Sequence, residues 1–349
     1  NMMKVKTINE YTKSPTESIS NSYKTKPNSF KEPGIKILVG TRGTGKSYTA
    51  SKIMLQAQKD KTFDVTYFIT PTFESNAGHW KQFNINRENV FYPDREAVQK
   101  VINAIERDRD EFESYLVEME IYNRFKRDSK NKRTISLINS DDLNDYMDYG
   151  YVSESGMMNR NIVKPEWKYK IIRPPQSLLI VDDCLGSSVL SATEAFTKLM
   201  ITNRHLGALS EAYGDRQALG CSVMLLVQSY TARQGIPPSC RHNCTDLILF
   251  KNKSKDQMKK ISDELAGSVD VEKFTQAYEY ATQGDHDNLC ITFAPSCKTK
   301  TFRKNLSSFI IFPDDAATCG CGGKSRKIMM KKPKDEKENE VMEAKTENP

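Results

Sequence analysis

Eight consecutive residues carry the clearest chemistry in this chain: Gly40-Thr41-Arg42-Gly43-Thr44-Gly45-Lys46-Ser47, a match to the phosphate-loop pattern GxxxxGK[ST]. Each residue type has a physical reason to be there. Glycines at 40, 43 and 45 let the backbone point successive N–H groups at phosphate oxygens, and a helix opening at the lysine adds its positive dipole end. The Lys46 ammonium can neutralise the β and γ oxygens of a nucleoside triphosphate, and the Ser47 hydroxyl can bind Mg²⁺. A Gly-rich turn between a strand and a helix needs no such lysine, so the whole pattern points to triphosphate binding.

A metal-bound triphosphate calls for a second acidic site. Ser177-Leu178-Leu179-Ile180-Val181-Asp182-Asp183 supplies one. Asp182 ends an apolar run and is expected to hold Mg²⁺ directly or through water, and Asp183 is the candidate general base that polarises the attacking water. Adjacent aspartates also suit an ordinary turn, but the phosphate loop upstream favours the metal reading. Gln228 follows the apolar run Val223–Val227, where a polar side chain can sense the γ-phosphate or orient water.

These residues need a scaffold that brings strand ends together. Short apolar runs without polar alternation recur at 35–39, 65–69, 178–181, 223–227, 247–250 and 289–293. Such runs mark strands covered on both faces, the habit of parallel sheets. Helical spacing lies between them: Ala50, Ile53, Met54 and Ala57 after the loop, then a long amphipathic repeat from Val98 to Met119 with Asp94 as its expected N-cap. Ser191 and Glu194 fit a capping box ahead of Phe196, Leu199 and Met200. The expected fold is α/β, a mainly parallel sheet with helices on both faces.

The chain has 349 residues, which allows two domains or one large α/β domain with insertions. Residues 1–33 read as a disordered arm, 34–313 as the folded body with a charged insertion at about 124–170, and 314–349 as a disordered tail of mixed and basic charge. Of the +7 net charge, +5 sits at the ends: six Lys against three Glu in 1–34, and eight Lys or Arg against six acids in 324–349. The remaining +2 says little about partners of the body, although the basic run 324–334 can touch phosphates. No apolar run reaches the 18 or so residues of a membrane helix, and the first thirty residues lack the apolar core of a secretion signal. A secreted or membrane-spanning protein is therefore not expected. The eight cysteines form no CxxC pair and are expected to be reduced thiols; Cys240 with Cys244 and Cys319 with Cys321 come nearest to ligand spacing, with only His242 close to either pair.

Taken in order, the loop GTRGTGKS, the LLIVDD strand, Thr202-Asn203-Arg204-His205-Leu206, the MLLVQ strand and Ile236-Pro237-Pro238-Ser239-Cys240-Arg241-His242-Asn243 resemble the genome-packaging ATPases of large eukaryotic DNA viruses and virophages, the poxvirus type within the FtsK/HerA superfamily. The resemblance covers about residues 35–295. It implies a RecA-like P-loop core, ATP with Mg²⁺, a homo-oligomeric ring around double-stranded DNA gripped through its backbone, and a capsid vertex or portal as partner. It implies a place in the virion or the host-cell cytoplasm. By this resemblance Gln228 is the polar sensor, and Arg204 or Arg241 is the finger that reaches a neighbour's γ-phosphate. His205 and His242 read as structural. Two other classes are open to a phosphate loop: a small-molecule kinase, and a nucleotide-gated assembly factor with negligible turnover.

Overall fold

The computed structural model describes residues 26, 29–83, 85–130, 138, 140–159, 161–190, 194–210, 217–232 and 235–318. Most of the arm at 1–33, the tail from 319 with its basic run, and Ser191 of the expected capping box lie outside the described residues. The elements follow in the order β1 (Ile35–Val39), α1 (Lys46–Asp60), β2 (Val65–Ile69), α2 (Ala77–Trp80), β3 (Val90–Phe91), α3 (Ala97–Asp128), α4 (Ser140–Asp148), β4 (Ser177–Asp182), α5 (Glu194–Thr202), β5 (Cys221–Val227), α6 (Pro238–Arg241), β6 (Asp246–Phe250), α7 (Lys255–Leu265), α8 (Val271–Ala281), β7 (Asn288–Thr292), β8 (Phe302–Lys304), β9 (Ser308–Ile310) and α9 (Pro313–Thr318).

One nine-stranded sheet runs β3-β2-β4-β5-β1-β6-β7-β8-β9. Its first six strands are parallel. Strand alternation divides the core into two layers. Ile37, Val39, Leu179, Val181, Leu225 and Leu249 face a cluster that includes Ile102 and Ile105 of α3, Phe196 of α5, Ile261 of α7 and Phe274 of α8. Leu38, Ile180, Leu226 and Ile248 face the other way, onto Ala50, Ile53 and Met54 of α1 and onto Trp80. Both faces are covered, which is why the strands read as continuous apolar runs. The fold is α/β, a mainly parallel sheet with helices on both faces.

The run at 289–293 forms β7, but it pairs antiparallel with β6, as do β8 with β7 and β9 with β8. One crossover helix returns a chain to the start of the next strand and makes it parallel. Here two helices, α7 and α8, lie between β6 and β7, so the chain comes back to the edge it left and Asn288 pairs with Phe250. The long helix starts at Ala97 rather than directly after Asp94. Asp94 accepts instead from the Glu96 N–H at 2.9 Å, closing a turn one step before the helix.

The expected insertion has a core of its own, in which Ile121 and Phe125 from the end of α3 pack with Tyr146, Tyr151 and Val152. Beyond it, Lys168 donates to Asp108 at 2.6 Å and Trp167 packs on Phe112 at 5.1 Å between ring centres, tying the segment back to α3. Cys184, Cys221, Cys240, Cys244 and Cys290 are buried free thiols. Cys297 departs from the expectation of reduced thiols, being disulfide-bonded. Among the described residues no helix is long and apolar enough to cross a membrane, and no group of three or more His, Cys, Asp and Glu side chains could hold a metal.

Candidate nucleotide site

The loop at 40–47 joins the carboxyl end of β1 to the first turn of α1. Gly43 and Gly45 take φ of 81° and 97°, left-handed values that side chains resist. Gly40 is needed for space instead: a Cβ there would stand 2.9 Å from the Phe250 Cβ and closer still to the Thr44 hydroxyl. Its N–H donates to the Val227 carbonyl at 3.1 Å, which fixes the loop against the end of β5 beside Gln228. The Thr44 hydroxyl donates to the Thr41 carbonyl at 2.8 Å and closes the turn around Arg42, which is exposed.

Lys46 donates to the Gly40 carbonyl at 2.7 Å and the Thr41 carbonyl at 3.1 Å, so its ammonium lies within the loop. Burial holds it below its ordinary pKa, against the pull of Asp182 and then Asp183. Both carboxylates are thus near the lysine, although β5 separates β4 from β1. In a regular strand neighbouring side chains point to opposite faces. Asp183 escapes that alternation because its φ is +55°, a left-handed backbone that aspartate tolerates better than most residues.

Asp182 is 4% exposed. Burial and then the Asp183 charge push its carboxyl up to about 6, opposed by Lys46 and by hydrogen bonds from the Asp183 N–H and the Ser47 hydroxyl. Its Oδ2 is buried without a hydrogen-bond partner among the described residues. A carboxylate that keeps one buried oxygen unused, with the Ser47 hydroxyl at the start of the helix beside it, is a donor set that suits a hard divalent cation. The Gln228 amide donates to Asp183 Oδ1 at 3.1 Å. The segment after Gln228 is braced: Ser229 accepts from Gln257 at 2.6 Å and Tyr230 donates to Glu264 at 3.2 Å.

The loop, Lys46, Ser47, Asp182, Asp183 and Gln228 therefore converge, while the two arginines do not join them. Arg204 is exposed and follows α5. Its neighbour Asn203 pairs with Cys221 at the opposite end of β5 from Gln228, a distance of about 20 Å along the strand. Arg241 grips Glu264 through two bonds of 2.9 Å, donates to the Ile236 carbonyl at 2.7 Å and covers the Tyr230 ring at 4.9 Å. A cavity of 580 Å³ lined by Asp64, Tyr67, Asp108 and Lys168 shares no residue with the loop. Phe250 and His286 wall the loop at Gly45, and no local motif marks either of them.

No protein-family model matches the chain, and no curated protein matches its sequence. Among solved structures it is similar to the genome packaging NTPase B204 of Sulfolobus turreted icosahedral virus 2 in complex with ATPγS, at 14% identity and a TM-score of 0.40 over 78% of this chain and 97% of that one. B204 of Sulfolobus turreted icosahedral virus, a DNA-packaging ATPase, overlaps at 13% identity and a TM-score of 0.39, over 78% of this chain and 96% of that one. The conjugation coupling protein TcpA of pCW3 overlaps at 12% identity and a TM-score of 0.39, over 82% of this chain and 61% of that one.

Proposed function

We propose that the chain is the ATPase subunit of an oligomeric motor that drives double-stranded DNA into a preformed capsid. The observation that carries the nucleotide half of this reading is Lys46 held inside the loop by the Gly40 and Thr41 carbonyls, together with Asp182, whose Oδ2 is buried and unpartnered among the described residues. Ser47 and Asp182 would hold Mg²⁺, which when bound offsets charge on the β and γ oxygens of ATP. Lys46 exchanges its two carbonyl partners for phosphate oxygens. Asp183 takes the proton of the attacking water, and Gln228 keeps that carboxylate oriented through the 3.1 Å bond while its own carbonyl oxygen remains for the water.

The exposure of Arg204, a strand's length from its own phosphate loop, supports its acting on a neighbour's nucleotide in a ring. An arginine supplied in this way raises phosphoryl-transfer rates by about 10³–10⁵ and makes hydrolysis depend on assembly. Arg241 is engaged by Glu264 inside its own chain, which favours a bracing role beneath Gln228. The ordered motifs support the coupling to DNA, which a motor must hold by phosphate contacts that ignore sequence. The same reading makes a capsid vertex or portal the partner and the virion or host-cell cytoplasm the place.

The test is ATP hydrolysis by the purified protein with and without long duplex DNA. Turnover stimulated by DNA, weakened by salt and abolished by Lys46→Ala is expected. Turnover that survives Lys46→Ala, or that ignores DNA, would overturn the motor.

A further inference from the structure

The sheet order β4-β5-β1-β6-β7 makes the phosphate site one-sided. Asp182, Asp183 and Gln228 all stand on the β4 and β5 side of the loop. A triphosphate whose terminal group meets them must run its nucleoside end the other way, over the tops of β6 and β7. Two strand spacings cover about 10 Å in that direction, a span that a ribose and base can occupy.

The turn at 282–287 stands there, because the α7–α8 pair delivers the start of β7 to the same edge as the loop. His286 is exposed on this turn, its Cβ and Nδ1 each 3.8 Å from where a Cβ of Gly45 would lie. The turn is held firmly. Asp287 accepts from the Gly284 N–H at 3.2 Å and from the Asn305 amide at 2.6 Å, and it pairs with Lys304 at 3.0 Å. Lys251 adds a bond of 3.4 Å to the Gln283 carbonyl. None of these contacts uses the His286 imidazole, which is presented at the loop by a frame built from its neighbours.

We propose that His286 contacts the ribose and base of the bound nucleotide and forms the nucleoside wall of the site. The inference rests on the nucleotide reading above and adds its specificity: the phosphate loop holds any polyphosphate, and His286 distinguishes a nucleotide from one. An imidazole has a flat face for the base and ring nitrogens that hydrogen-bond a ribose hydroxyl.

The experiment is calorimetric titration of the full chain with ATP and with inorganic tripolyphosphate, each with Mg²⁺, for the parent and for His286→Ala. The variant is expected to bind ATP roughly tenfold more weakly, the scale of one base-stacking contact, and to bind tripolyphosphate unchanged. An unchanged affinity for ATP, or an equal loss for both ligands, overturns the role of His286 while leaving the phosphate site standing. A parent protein that binds neither ligand removes the phosphate site itself.

Discussion

The Gln228 amide and the Asp183 carboxylate meet at 3.1 Å across the ends of two adjacent strands, with the Asp183 backbone left-handed at φ 55°. Removing the amide should free the carboxylate to rotate without disturbing the loop. Gln228→Ala is therefore expected to lower kcat by about 10²-fold with little change in KM for ATP, as for loss of a group that acts in the transition state. Steady-state kinetics check it, and a rise in KM at unchanged kcat would contradict it.

The two aspartates should separate by function. Asp183→Asn keeps the volume and the hydrogen bond but removes the base, so nucleotide binding should persist while turnover falls by about 10²–10⁴-fold. Asp182→Asn removes a carboxylate from the expected cation site, so the dependence of ATP affinity on Mg²⁺ should collapse. Titrating each variant with ATP in the presence of Mg²⁺ and of EDTA separates the two outcomes.

Gly40 tests the packing of the loop. An added methyl group meets Phe250 at 2.9 Å, and Phe250 is 1% exposed within the sheet core, so little can give way. Gly40→Ala should cost about 1–3 kcal/mol of stability. A thermal midpoint equal to the parent's would show that the loop shifts freely.

Arg241 and Arg204 should fail in different ways. Arg241→Ala leaves the Glu264 carboxylate partly buried without its fork and is expected to cost about 3 kcal/mol. Arg204→Ala, at an exposed position, should move the urea midpoint by no more than about 1 kcal/mol of stability and reduce ATP turnover only under conditions where the chain assembles. Comparing unfolding curves with turnover across protein concentration distinguishes them.

Alkaline pH should weaken the fold through its buried thiols. Burial pushes the Cys221 thiol up to about 12, and the charges of Asp182 and Asp183 add to burial in raising Cys184 to about 12 as well. A thiol raised in the folded state contributes stability that is complete below its unfolded pKa of 9.0 and is lost as pH climbs toward the folded value. The window is thus from about 9 to about 12, with a slope of at most about 1.4 kcal/mol per pH unit for each thiol. Urea midpoints at about pH 7.5 and about pH 10 should differ in that direction.

The phosphate loop, its strand and its helix are legible in the sequence because they are contiguous: the glycines, Lys46 and Ser47 act through backbone within a few residues. Asp182, Asp183 and Gln228 are visible for a related reason, since each closes a run of apolar residues covered on both faces. What no local pattern contains is the lateral order of the strands. The insertion of β5 between β1 and β4 brings Gln228 onto Asp183, and the α7–α8 pair turns β7 antiparallel and delivers His286 to Gly45. Glu264 likewise engages Arg241 only once α7 packs beside α6, a contact between distant segments. Such contacts depend on where long connections close, and closure is decided by packing of the whole chain rather than by the residues at either end.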